Sequence, residues 1–407
     1  MKAVEKRYLK SFVLVTTLFL LWGLANNMTD TLLSAFKKIM SMSDTQTSLI
    51  QFAFYGAYFC LALPAALFIR KHSYKSGVLL GLSLYALGAI LFMPAAKAAS
   101  YGFYLIAIYI MAGGCSVLET TANPYILSMG SPETATRRLN IAQAFNPIGS
   151  ILGILLSKYF ILSDISLYSI SGTYMTLGLV LIGILVVMLV VKMPSGSHTA
   201  EQTTGLRAVF RRLWANRSYR GGVVAQFFYV GAQIGVWSFT IRIVMQELGM
   251  TEAAASTVYL VSIIGFCLSR FIYTWLMKYF APKRLLVFGA GMSLGCSAAV
   301  IALAGSGWVL VCFLILISVF MSLMFPTIYG LALENVDRPE AGGQPGDAKI
   351  GASGLIMAIL GGALLTPLQG FVSDTFSIHI SFFVPLACFT VVLIYALSIN
   401  KLKNEKK

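Results

Sequence analysis

Between Arg284 and Glu334 the chain runs for 49 residues without a single Lys, Arg, Asp or Glu. A helix needs roughly 20 apolar residues to cross the hydrocarbon core of a bilayer. This stretch therefore holds two spans, with a turn at Gly305-Ser306-Gly307. The run between Lys97 and Glu119 is also charge-free and long enough for one span. Across the 407 residues only 11% are charged and 58% are hydrophobic, whereas soluble domains carry about 25% charged residues. That composition excludes a soluble multidomain protein. Strand-like alternation is missing, which argues against an outer-membrane barrel.

Twelve spans fit the apolar runs, at about residues 12–35, 49–69, 78–96, 103–127, 139–160, 173–191, 223–245, 253–279, 285–304, 309–333, 350–371 and 381–399. The N-terminal run resembles a signal peptide at first sight. It is too long for one, contains Asn26, Asn27 and Asp30, and lacks a small-x-small cleavage site, so it reads as a retained first span. The net charge of +15 comes from 30 basic and 15 acidic residues. If the spans alternate, Lys37, Lys38, Lys97, Lys158 and Arg242 fall on one side and the other 25 basic residues on the opposite side. The basic side is cytoplasmic by the positive-inside rule, which places both termini in the cytoplasm. The basic balance thus sets topology and does not imply nucleic-acid binding.

The longest connection divides the spans six and six. Residues 1–193 form one expected domain, 194–222 a cytoplasmic linker and 223–407 a second domain. Within the linker, Leu206, Val209, Phe210, Leu213 and Trp214 share one helical face, with Arg207, Arg211 and Arg212 elsewhere. That pattern predicts a helix lying on the inner leaflet, with a disordered basic linker as the alternative. The two halves carry a weak repeat. Arg70, Lys75, Val78 and Gly81 match Lys278, Lys283, Leu286 and Gly289 at one constant offset. Two six-helix, pseudo-symmetric domains with parallel repeats describe an all-α membrane protein of the major facilitator fold.

Two acids lie deep within spans, Asp30 in the first and Glu119 in the fourth. A charged side chain at the bilayer centre costs about 2.5–3.5 kcal/mol even on a lenient scale, so an idle carboxylate there is unfavourable. Each has polar company at helical spacing: Asn26 and Asn27 near Asp30, and Ser116 and Asn123 near Glu119. Gln143, Asn146 and Ser150 line up in span 5. Gln226, Tyr229, Gln233 and Trp237 do so in span 7, and Gln51, Tyr55 and Tyr58 in span 2. Such faces suit a central aqueous cavity. For each amide, interhelical hydrogen bonding is the competing explanation. Arg270, eight residues before Lys278, is either a counter-ion to Asp30 or Glu119 or a snorkelling arginine.

Other chemistry is not supported. The six cysteines sit in apolar runs, and the three histidines are scattered without ligand spacing, so neither a metal site nor a catalytic constellation is expected. A phosphate-binding Gly-x-x-x-x-Gly-Lys-Ser/Thr loop is missing, and no cofactor is implied.

Several of these segments resemble the fucose–galactose–glucose:proton symporters of the major facilitator superfamily. The stretch from Leu21 to Leu33, with Trp22, Asn26, Asn27 and Asp30, is similar to their span 1 motif. The stretch from Leu118 to Tyr125, with Glu119, Asn123 and Pro124, is similar to their span 4 motif. Gln143 to Asn146, Ala225 to Gln233, Ser269 to Phe271, Met324 to Thr327 and Gly361 to Asp374 carry the likeness through spans 5, 7, 8, 10 and 11. The resemblance implies that the Asp30 position couples the proton. It implies that Glu119 binds sugar and shares in protonation, that Gln143 and Asn146 contact sugar hydroxyls, and that Phe266 lines the pocket. Phe325 departs from the pattern, because fucose carriers of the family have Tyr there. The missing hydroxyl leaves the identity of the sugar open.

The resulting expectation is proton-coupled uptake of a monosaccharide by a multi-pass inner-membrane protein acting as a monomer. Sodium coupling through Asp30 with Asn26 or Asn27, and export of another small solute, are the alternatives. Hydroxyl-rich substrates suit the Gln- and Asn-rich faces better than lipophilic cations do.

Overall fold

The computed structural model describes residues 4–39, 44–161, 166–194 and 205–404, and its regular structure is helical throughout. In chain order the helices are α1 (Leu9–Ile39), α2 (Asp44–Lys71), α3 (Tyr74–Ile90), α4 (Phe92–Lys97), α5 (Tyr101–Leu127), α6 (Ala135–Gln143), α7 (Asn146–Leu156) and α8 (Leu167–Val190). They continue with α9 (Leu206–Ala215), α10 (Arg217–Leu248), α11 (Glu252–Leu276), α12 (Pro282–Ala302), α13 (Trp308–Met321), α14 (Met324–Leu333), α15 (Asp347–Met357), α16 (Leu360–Thr375) and α17 (Phe383–Asn404). Twelve helical stretches among the described residues are long and apolar enough to cross a membrane, from Lys6–Ala25 to Ile380–Ile399. This is the number of spans expected from the sequence.

Polar residues end the helices where the apolar runs stop. The side chains of Ser73, Asn216 and Thr251 accept backbone N–H groups at the starts of α3, α10 and α11, satisfying donors that a helix start leaves free. Gly305 and Gly307 hold positive φ angles of 83° and 62°, so the α12–α13 connection turns where only glycine does so at little cost.

Four spans are broken, which the apolar pattern does not reveal. The third divides into α3 and α4 at Leu91. The fifth divides into α6 and α7 at Ala144–Phe145, the tenth into α13 and α14 at Ser322–Leu323, and the eleventh into α15 and α16 at Ala358–Ile359. Proline explains three of the breaks. Pro94 lacks the N–H that would bond the Ile90 carbonyl at the α3–α4 break. Pro147 lacks the N–H that would bond the Gln143 carbonyl four residues back, and Pro326 likewise fails the Ser322 carbonyl. By contrast, α5 runs uninterrupted through Pro124.

The helices assemble into two units. One comprises Met1–Ala135, Phe145–Thr203 and Pro345–Met357, and the other Thr136–Ala144, Thr204–Gln344 and Ala358–Lys407. Thus α6 belongs with the second unit and α15, packed on α2 and α5, with the first. In the first unit α3 packs on α5 and α1 on α7; in the second α10 packs on α16 and α17, and α12 on α13 and α17. The repeated glycines have matching jobs. A Cβ on Gly81 would lie 2.9 Å from the Leu118 nitrogen of α5, and one on Gly289 would lie 2.8 Å from the Phe320 carbonyl oxygen of α13. Each is a close-approach point between helices, as small residues provide in membranes.

Candidate functional site

In the first unit the polar cluster is built by α1, α2 and α5. Glu119 sits mid-helix in α5 with 1% of its surface exposed, and Ser116 and Asn123 on the same helix are fully buried. The Glu119 Oε2 atom has no hydrogen-bond partner among the described residues. Beside it, Trp22 of α1 donates its indole N–H to the Tyr58 hydroxyl of α2 at 2.6 Å, and Ser116 donates to the Tyr58 carbonyl at 3.2 Å. Tyr58, Cys115 and Glu119 share one electrostatic neighbourhood. Phe54 packs on Tyr58, with ring centroids 5.4 Å apart. Aromatic faces thus adjoin an acid with a free oxygen, a combination that suits a ligand with hydroxyls and apolar C–H faces.

The other expected residues of this unit are less uniform. Asn146, half-buried at the start of α7, donates to the Phe19 carbonyl of α1 at 3.2 Å. Asn27, also half-buried, donates to the Gly23 carbonyl at 3.3 Å. The Asn146 bond is interhelical, the competing explanation raised by the sequence, whereas the Asn27 bond lies within α1. Gln51 on α2 is exposed. The side chains of Asn26 and Asp30 lie outside the described residues, although both positions belong to α1.

The second unit gathers Gln143, Phe266, Arg270 and Ser322. Arg270 on α11 is 3% exposed. Its Nε donates to the Ser322 carbonyl at 2.7 Å and its Nη1 to the Gln143 carbonyl at 2.9 Å. The guanidinium carbon lies 4.7 Å from the Phe266 ring centroid, and Phe266 meets Trp237 edge-on at 5.0 Å. Trp237 donates to the Ser318 hydroxyl at 3.2 Å. Phe325, half-buried, stands 6.4 Å from the Tyr229 ring, and the Tyr229 hydroxyl donates to the Met321 carbonyl. Gln233 is half-buried. Gln226 is completely buried, yet neither its amide oxygen nor its nitrogen has a partner among the described residues.

One further group belongs with these. Gln369 of α16 is 1% exposed, and both of its amide atoms also lack partners among the described residues. It presses on α10, where a Cβ on Gly235 would lie only 2.2 Å from the Gln369 oxygen. The sequence reading does not include it; its one signal is a lone amide inside the apolar run of span 11, without the polar helical face that marks Gln226.

The chain belongs to the Major Facilitator Superfamily, whose family model matches residues 14–346. It is 41% identical to the L-fucose-proton symporter of Haemophilus influenzae, over 97% of this chain and 97% of that one. The glucose/galactose transporter of Brucella abortus is 31% identical, over 97% of this chain and 95% of the relative. Among solved structures, FucP, a Major Facilitator Superfamily transporter in the outward conformation, matches with a TM-score of 0.86 at 34% identity, covering 96% of this chain and 99% of that one.

Proposed function

We propose that this chain is a secondary active transporter that takes up a monosaccharide, fucose or a hexose such as glucose or galactose, together with a proton. The observation that carries the reading is Glu119, a carboxyl buried mid-span with one oxygen unpartnered among the described residues, set beside Trp22, Tyr58 and Ser116. Hydrocarbon makes such a carboxyl costly unless it works. The names of the H. influenzae and B. abortus relatives support sugar as substrate, and the former supports the proton as coupling ion.

Asp30 and Glu119 act in proton coupling. Asn26, Asn27, Gln51, Glu119, Asn123, Gln143, Asn146, Gln226, Gln233, Phe266 and Phe325 contribute to sugar binding. The protein works as a monomer in a bacterial inner membrane, with both termini in the cytoplasm and residues 194–222 linking domains 1–193 and 223–407. One charge moved through 100 mV yields about 2.3 kcal/mol and one pH unit about 1.4. Together they support roughly 500-fold accumulation at one proton per sugar.

The test is Asp30→Asn in proteoliposomes with an imposed pH gradient and a panel of labelled monosaccharides. Uphill uptake should disappear while sugar exchange survives. Normal proton-driven accumulation by the variant, or uptake that follows sodium at fixed pH, would overturn the assignment.

A further inference from the structure

The two carbonyls that Arg270 binds are not arbitrary. Gln143 lies four residues before Pro147 and Ser322 lies four residues before Pro326. Each is a carbonyl whose helical donor proline removes, at a break within a span. In water such groups would be hydrated, but within a membrane span they must find a donor in the protein. Arg270 supplies both donors from one guanidinium, at 2.9 Å and 2.7 Å. Gln143 ends α6 and Ser322 follows the last residue of α13, so the cation also sits at the negative ends of two helix dipoles. Two carbonyl dipoles and the Phe266 face account for a buried arginine without calling on a carboxylate.

We infer that Arg270 is a positioning residue for the sugar contacts of the second unit: it anchors the carbonyls at two proline breaks and so sets Gln143 and Phe325 in place. Gln143 is itself anchored by its carbonyl, and Phe325 stands three residues after the anchored Ser322, so both candidate sugar contacts sit at or just beyond a fixed point of the backbone. This role rests on the sugar reading above only for the consequence, not for the anchoring itself. It differs from that of a counter-ion. A counter-ion needs positive charge alone, whereas this site needs two N–H donors in a fixed planar fork, which Lys does not offer.

The experiment is a mutant cycle on the full-length protein. Pro147→Ala with Pro326→Ala restores an N–H to each carbonyl. Arg270→Met in the otherwise unchanged protein should lower the thermal midpoint in detergent by several degrees, because it strands two buried carbonyls. In the Pro147→Ala/Pro326→Ala background the same change should cost less than about half as much, since the carbonyls then have other donors. Equal cost in both backgrounds overturns the anchoring, and that outcome requires no sugar. For the consequence, Arg270→Lys should weaken equilibrium sugar binding by roughly tenfold or more, as the loss of charge-assisted hydrogen bonds allows, with the maximal exchange rate less affected. Arg270→Lys with unaltered sugar affinity and stability would show that charge alone suffices, and would overturn the positioning role. If wild-type protein binds none of the sugars while the stability cycle shows the expected coupling, the sugar reading fails and the anchoring stands.

Discussion

Glu247 and His379 meet with a carboxylate oxygen 2.5 Å from the imidazole Nε2, joining the end of α10 to the connection between α16 and α17. The same carboxylate accepts N–H groups from Gly305 at 3.0 Å and Gly307 at 3.1 Å, the two positive-φ glycines of the α12–α13 turn. One side chain, 3% exposed, therefore ties three connections of the second unit together. Glu247→Ala removes every one of these bonds and strands two backbone donors. Hydrogen bonds to a charged group contribute about 1.5–3 kcal/mol each, not additively. The thermal midpoint should fall clearly, by more than after Glu247→Gln, which keeps one acceptor oxygen. Differential scanning fluorimetry on purified protein checks this, and an unchanged midpoint for Glu247→Ala would show that the cluster holds nothing.

Gln226 and Gln369 lead to a pair of opposed effects. Each buries an amide whose oxygen and nitrogen lack partners among the described residues. Leaving a buried polar group unsatisfied costs about 1–3 kcal/mol, while an apolar side chain of the same shape avoids that cost. Gln226→Met and Gln369→Met should therefore raise the thermal midpoint of the sugar-free protein. If these amides meet sugar hydroxyls during transport, sugar affinity should fall by about tenfold in the same variants. Stabilisation with undiminished affinity would assign both amides to packing alone.

How far these features were legible in the chain depends on the kind of signal each one leaves. The twelve spans show as long charge-free runs because hydrocarbon excludes charge everywhere along them. Glu119 shows as the exception within such a run. Gln369 is a lone amide, without the polar face at helical spacing that marks Gln226 with Tyr229, Gln233 and Trp237, so only the fold shows that it is buried. The break at Ala358–Ile359 leaves no proline signal. The breaks at Ala144–Phe145 and Ser322–Leu323 are written in Pro147 and Pro326, but only the fold brings Arg270 to the carbonyls that those prolines leave unmatched.

Position 325 bears on which sugar is favoured. Phe325 lies beside Tyr229 near the Pro326 break and lacks the hydroxyl that the resemblance attaches to fucose carriers. Phe325→Tyr adds one hydrogen-bonding group, with a net contribution of about 0.5–1.5 kcal/mol. Competition uptake should show the fucose-to-glucose preference shifting toward fucose by about two- to tenfold. A preference unmoved by the added hydroxyl would remove this position from sugar discrimination.

Within the basic linker, Leu206–Ala215 form the helix α9, whose surroundings are specific enough to test. In α9, Val209 and Leu213 are buried, whereas Leu206, Phe210 and Trp214 are exposed at 40%, 44% and 73%. At 3.6 residues per turn the exposed three form a stripe beside the buried pair, and Arg207 and Arg211 flank that stripe. Asn216 alone separates α9 from α10 and caps the latter by accepting the Tyr219 N–H at 3.0 Å. Arg220 of α10 reaches back over Trp214, 5.8 Å from its ring. An apolar stripe edged by arginines, joined directly to a membrane span, suits the headgroup boundary of an anionic leaflet. Trp214 should then be quenched by lipids carrying brominated acyl chains, and its share of the signal follows from the difference between wild type and Trp214→Phe. In mixed vesicles, brominated phosphatidylglycerol should quench it more strongly than brominated phosphatidylcholine at the same mole fraction. Arg207→Gln with Arg211→Gln should abolish that preference while leaving the quenching itself. Quenching by neither lipid would place the stripe away from the bilayer, and equal quenching of the wild type by both would leave the arginines without a part in lipid selection.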